Sequence, residues 1–330
     1  MPNNSPMRFR TEIEPTPFER KIGYRSRLLA IGSCFADNMA GALQHAKFNV
    51  TANPAGVLFN PESIAGTLRL FASGAGIRPE ELTESGGRWF DYRFHGSLSA
   101  SSPEEAAAKM NAAAAAGREA LAACDTVIIT FGTAWVYVLN STGETVANCH
   151  RQPSALFTRR RMTVAEIVDG FSRLLETVLE GKHVIFTVSP VRHTGDGADQ
   201  NFLSKATLKL AVAELVERYG NADYFPAYEI LNDDLRDYRF YADDLVHPSA
   251  QAVAYIREKF FDAALDNDAV ANLPQVEKIA AAAAHRPFNP DSEEYRAFCR
   301  NALAQIAELE RRIDGIDFSA ERAYFASAAQ

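Results

Sequence analysis

The sequence predicts a three-layer α/β domain built on a five-stranded parallel sheet, followed by a helical appendage. Two observations carry this. Five short apolar runs rich in β-formers recur up to Tyr228, and helical patterns alternate with them. The central runs are apolar at both odd and even positions, which is the pattern of strands buried on both faces.

The elements follow in order. "RLLAIG" (27–32) is the first strand and residues 34–46 the first helix. "KFNVTA" (47–52) is the second strand, with a helix at 61–73. "RWFDYRFHGSLSA" (88–100) reads as an inserted hairpin, ahead of an alanine-rich helix at 103–123. "TVIITFG" (126–132) is the third strand. A second hairpin follows at 135–150, turning at Ser141–Gly143, and then a helix at 163–181. "HVIFTVSP" (183–190) and "ADYFPAY" (222–228) are the last strands, with helices at 202–220 and 248–265. Residues 1–265 thus form the main domain. From Asp266 to residue 330 the pattern becomes that of a charged helical extension with Leu and Ile on one face. Five strands so connected suggest a flavodoxin-like order, 2-1-3-4-5. Ligands then bind beyond the strands' carboxyl ends, at the switch point between strands 1 and 3.

Composition narrows the function classes. The net charge is −8 with dispersed Lys and Arg, which argues against a nucleic-acid partner. The one basic cluster, "TRRRM" (158–162), reads as a solvated loop or helix start. No run of apolar residues is long enough to span a membrane, and the opening residues lack the apolar core of a secretory signal. Cys34, Cys124, Cys149 and Cys299 form no C-x-x-C pair, so neither a disulfide frame nor a zinc ribbon is expected. The expected location is the cytoplasm.

Chemically loaded residues cluster where the fold would place a site. "GSC" (32–34) follows strand 1, "NPAGVLFNP" (53–61) strand 2, "FGTAW" (131–135) strand 3 and "SPVRH" (189–193) strand 4. "DDLVHPS" (243–249) precedes the last sheet-covering helix. Taken alone, Ser33 fits a helix N-cap, and Asp244 and His247 fit caps of a helix led by Pro248. Taken together they supply a nucleophile, a base and an orienter, the minimal set for acyl transfer. A serine hydroxyl needs an imidazole to accept its proton, and the imidazole needs a carboxylate to fix its tautomer. A helix N-terminus also favours a developing oxyanion.

"IGSCFADN", "NPAGVLFNP", "FGTAWVY", "VANCHRQP", "TVSPVRH" and "DDLVHPS" together resemble the segments of the GSCFA family, within the wider SGNH (GDSL-like) hydrolases. The likeness runs over roughly residues 8–265, and "HRPFNPDSEEYR" (285–296) extends it. It implies a flavodoxin-like hydrolase fold with Ser33 as nucleophile and Asp244 and His247 as its partners. It also implies oxyanion donors from the Ser33 N–H and from a glycine after strand 2, matched by Gly56. The third donor of such enzymes is an asparagine in a Gly-x-Asn-Asp block. This chain has Gly132-Thr133-Ala134-Trp135 there instead. Asn148 is the first candidate to fill the gap and Thr133 the second.

His150, Arg192, His193 and Trp135 are candidate substrate contacts, and "TGDGADQ" (194–200) a candidate lid. Cys34 is a rival nucleophile. Cys149, His150, His193 and His247 lack zinc-ligand spacing, so no metal is assigned. The expectation is therefore a serine hydrolase or acyltransferase acting on a small-molecule or glycan acyl substrate, without a metal or organic cofactor. The alternative is a binding protein or scaffold on a degenerate hydrolase fold.

Overall fold

The computed structural model describes residues 9–329. Five parallel strands form the central sheet: β1 (Arg27–Gly32), β2 (Asn49–Ala52), β3 (Thr126–Phe131), β4 (His183–Val188) and β5 (Ala222–Phe225). Spatially they run β2, β1, β3, β4, β5. The chain leaves β1 toward β2 on one side and returns to β3 on the other, so a crevice opens at the carboxyl end of β1.

Side chains alternate between the two faces, as strand geometry requires. Leu29, Ile31, Val127, Ile129, Phe131, Val184, Phe186 and Val188 point to one core. Helices α2 (Pro61–Ser73), α3 (Pro103–Ala123), α4 (Val164–Leu175) and α5 (Ala198–Arg218) cover it with residues such as Leu68, Phe71, Met110, Phe171 and Leu208. Leu28, Ala30, Ile128 and Ile185 point the other way. There they meet α1 (Cys34–His45) and α6 (Ala250–Ala264) through Phe35, Met39, Leu43, Ile256 and Phe260.

The C-terminal helices α7 (Asn267–Ala284), α8 (Glu293–Arg312) and α9 (Ser319–Ala328) join this second core. Val276, Ile279, Cys299, Ile306, Leu309, Phe318 and Phe325 are buried in it, and Lys47, between α1 and β2, pairs with Glu321. The apolar stripe of α8 is thus spent within this core, chiefly against α9.

Several boundaries differ from the sequence reading. The first insertion pairs Thr83–Ser85 with Arg88–Phe90, and Trp89 then bridges to Ala100. The second is a three-stranded antiparallel sheet, because Phe157–Arg161 pairs with Trp135–Leu139 opposite Thr145–Val146. The basic run 158–162 is therefore mostly an edge strand, with Arg159 lying over the Trp135 ring at 4.6 Å. The glycine-rich lid segment is a single tight turn, Thr194–Asp196, running straight into α5, and Asp196 is tied to Arg159. Among the described residues no helix is long and apolar enough to cross a membrane.

Candidate active site

The turn after β1 is built around Gly32, whose φ of 140° brings it against β3. A Cβ there would lie 2.1 Å from the Thr130 carbonyl oxygen, so no larger residue fits. Buried Asn53, after β2, braces the turn. Its Oδ1 accepts the Gly32 N–H at 2.8 Å, and its Nδ2 donates to Asp37 at 2.7 Å.

Ser33 stands at the N-terminus of α1 but makes no capping bond. It is 1% exposed, and its Oγ has no hydrogen-bond partner among the described residues. Buried hydroxyls without partners are rare. The Ser33 side chain starts beside Gly132: a Cβ on Gly132 would lie 3.0 Å from the Phe59 carbonyl oxygen, 3.3 Å from Ser33 Cβ and 3.4 Å from His193 Nε2. Glycine at 132 keeps that space open.

The loop before α6 carries the second part. Asp244 Oδ1 accepts the backbone N–H groups of Val246 and His247, both at 2.9 Å, and Oδ2 meets His247 Nδ1 at 2.6 Å. Leu245 takes φ 57° to close this turn. The cap of α6 is Ser249, which accepts the Ala252 N–H, so Asp244 and His247 are not its capping residues. Hydrogen bonds from the His247 backbone and ring, then from Val246, hold the Asp244 carboxyl down to about 2. A carboxylate can only accept, so the imidazole presents its N–H at Nδ1 and leaves Nε2 free to take a proton. Both side chains are half-exposed.

The loop after β4 joins the two parts. The Arg192 N–H donates to the Val246 carbonyl at 3.1 Å and its guanidinium to that of Leu245 at 3.2 Å, beside the Tyr238 and Tyr241 rings. The His193 N–H donates to Asn201 Oδ1 at 2.8 Å, and its ring stands edge-on to Phe59. Burial, then the charges of Lys205 and His247, pull the His193 imidazole down to about 4. His193 Nε2, like Ser33 Oγ, is buried without a partner among the described residues.

Beneath the crevice lies Lys205, fully buried on α5. Its Nζ donates to the carbonyls of Gly132 and Ser189, both at 2.7 Å, and so clasps the ends of β3 and β4. Burial pulls its ammonium down to about 7. The sequence reading passed over Lys205, Asn53 and Asn201. Lys205 did leave a signal: it occupies the buried stripe of α5 with Leu208, Val212 and Leu215, where a lysine is out of place.

The other candidate donors are engaged elsewhere. The Ser33 N–H bonds the Thr130 carbonyl at 3.1 Å, and the Gly56 N–H bonds that of Asn53 at 2.8 Å. Thr133 Oγ1 pairs with Ser204 Oγ at 3.0 Å and accepts the Trp135 N–H. Asn148 Oδ1 accepts the His150 N–H at 2.7 Å. Asn148 and His150 lie beside Gly96 in a cavity of about 660 Å³ that also takes in Arg88 and Gln152. The His150 ring stacks on Phe90 at 4.1 Å. His95, which precedes Gly96 in the chain, fills the space above Gly56. Cys34 is half-buried, and burial followed by Asp37 pushes its thiol up, away from the thiolate. Among the described residues no group of three or more His, Cys, Asp or Glu side chains is placed to hold a metal ion.

An α/β sheet with its polar residues gathered at the strand ends defines the class. The model of the GSCFA family matches residues 27–260, and that of the GSCFA domain protein C-terminal domain matches residues 276–330. The chain belongs to the GSCFA family. No match was found among curated proteins.

Proposed function

We propose that the chain is an SGNH-type serine hydrolase or acyltransferase that cleaves or transfers a small acyl group on a carbohydrate or similar polar acceptor. The observation that carries this reading is the Ser33 hydroxyl, buried at a helix N-terminus and without a hydrogen-bond partner among the described residues, with the Asp244–His247 pair on a loop that Arg192 ties to the segment carrying His193. A capping serine would have spent its oxygen on the helix. This oxygen is kept for something else.

In the proposed reaction Ser33 Oγ adds to the acyl carbonyl carbon, and its proton passes to His247 Nε2. The carbonyl π pair moves onto oxygen. Asp244, ionised at any working pH, stabilises the imidazolium. Collapse of the adduct expels the alcohol, which takes the proton from His247. Water or an acceptor hydroxyl then repeats the steps on the acyl-serine. The Ser33 and Gly56 N–H groups face the oxyanion by family likeness, sharing it with their present carbonyl partners as three-centre bonds. His247 and Arg192, with Trp135, His150 and Asn148 further along the insertions, line the approach for a polar acceptor. All four cysteines are free, which supports a reducing, cytoplasmic setting.

One observation favours a second reading, a binding protein on the same fold: both backbone donors already have carbonyl partners. Turnover of 4-nitrophenyl acetate separates the two. The hydrolase reading expects turnover by the wild type and none above background from Ser33→Ala or His247→Ala. Equal rates in all three proteins would leave only the binding reading.

A further inference from the structure

The chain lacks the asparagine that should supply a side-chain donor after β3. The structure offers another group at the same crevice. We infer that His193 supplies this donor, its neutral imidazole presenting Nε2–H to the oxygen of the acyl carbonyl that Ser33 attacks. The inference rests on Ser33 being the nucleophile and adds a residue to that reading.

Three observations support it. First, Ser33 Oγ and His193 Nε2 are both buried and both lack a partner among the described residues. Ser33 Cβ and His193 Nε2 lie 3.3 Å and 3.4 Å from the place where a Cβ of Gly132 would be, with the Phe59 carbonyl oxygen at 3.0 Å. Two unpaired polar side chains on neighbouring loops leave both free for a third group, which in this proposal is the acyl carbonyl. Second, the ring is held in place before any ligand arrives. Asn201 fixes the His193 backbone, Phe59 packs against the ring edge, and the Arg192 bonds to residues 245 and 246 tie the segment to the His247 loop. Preorganised donors of this kind stabilise charge that develops in the transition state.

Third, the surroundings oppose a positive charge on the ring. Lys205 and His247 face it from α5 and from the loop before α6, and Asp196 is the one carboxylate that favours its protonation. A neutral imidazole donates through one nitrogen and does not compete with His247 for the Ser33 proton. The alternatives are worse placed. Thr133 is committed to Ser204 and Trp135, and Asn148 sits across His95 and Gly96 with its carboxamide oxygen held by His150.

The test is the rate at which a fluorophosphonate modifies Ser33 in folded wild type, His193→Ala, His193→Gln and Ser33→Ala. The phosphonyl oxygen takes the place of the oxyanion, so no natural substrate is required. His193→Ala is expected to slow the chemical step by about 10²–10³-fold with little change in the half-saturating concentration of probe. His193→Gln, whose amide can still donate, should regain part of the rate. The acid limb of the pH–rate profile should stay in place in both variants. An unchanged rate in His193→Ala overturns the inference and leaves the Ser33 reading intact. So does loss of the acid limb, with Gln no better than Ala, because His193 would then be the base. Undiminished modification of Ser33→Ala would overturn both.

Discussion

Asp244 and His247 form a closed pair: one carboxylate oxygen takes the imidazole N–H at 2.6 Å, while the other takes two backbone N–H groups of the same turn. The backbone bonds aim the carboxylate, and the carboxylate aims the ring. The pair is half-exposed, so its value lies in orientation more than in buried charge.

Asp244→Asn should therefore keep the turn and lose the chemistry. The amide oxygen can still accept the two N–H groups, but the amide nitrogen then faces His247 Nδ1 and favours the wrong tautomer. Turnover should drop by about 10²–10⁴-fold at neutral pH and partly recover at high pH. Steady-state kinetics from pH 6 to about 10 check this. An unchanged neutral rate would mean that Asp244 serves the turn alone, and Asp243 would become the orienter to test.

Cys34 is expected to be dispensable. Its thiol is kept protonated by burial and by Asp37. Cys34→Ala should hold turnover within about threefold of wild type, since no bond to the reacting atoms is lost. A loss as deep as that of Ser33→Ala would move the nucleophile to Cys34.

Lys205 should reveal itself in stability. Its pKa near 7 lies below the ordinary lysine value, so between about pH 7 and 10 the unfolded chain binds more protons there than the native one. Stability conferred through this group rises with pH over that window. A neutral amine still has two N–H groups for the carbonyls of Gly132 and Ser189. Denaturant unfolding at stepped pH should show this rise in wild type and lack it in Lys205→Met. Lys205→Ala, which leaves a cavity and two unpaired carbonyls, should cost about 3–5 kcal/mol. Parallel pH profiles for wild type and Lys205→Met would remove the titrating role.

Much of this was readable from the residue pattern alone. The three central strands fall inside the apolar runs because burial on both faces leaves little polar interruption. Helices α1 to α3 begin where Ser33, Asn60 and Ser102 precede them. The strand Phe157–Arg161 was hidden because both its faces carry arginine, Arg160 on the exposed face and Arg159 and Arg161 on the half-buried one, so it lacks the apolar signature. The start of α5 was hidden by two glycines, although only Gly197 needs its positive φ. The approach of His193 to Ser33 was beyond reach. It brings together the ends of the loops after β1 and β4 on either side of Gly132, and no local pattern encodes that juxtaposition.

The central claim is that Ser33 is an activated nucleophile. The measurement that meets it most directly is covalent labelling by a fluorophosphonate probe, with the modified peptide identified by mass spectrometry. The account predicts a single adduct on Ser33 in the wild type, absent from Ser33→Ala and nearly absent from His247→Ala. A wild-type protein that is correctly folded yet unlabelled at Ser33, or labelled equally well without His247, would contradict it.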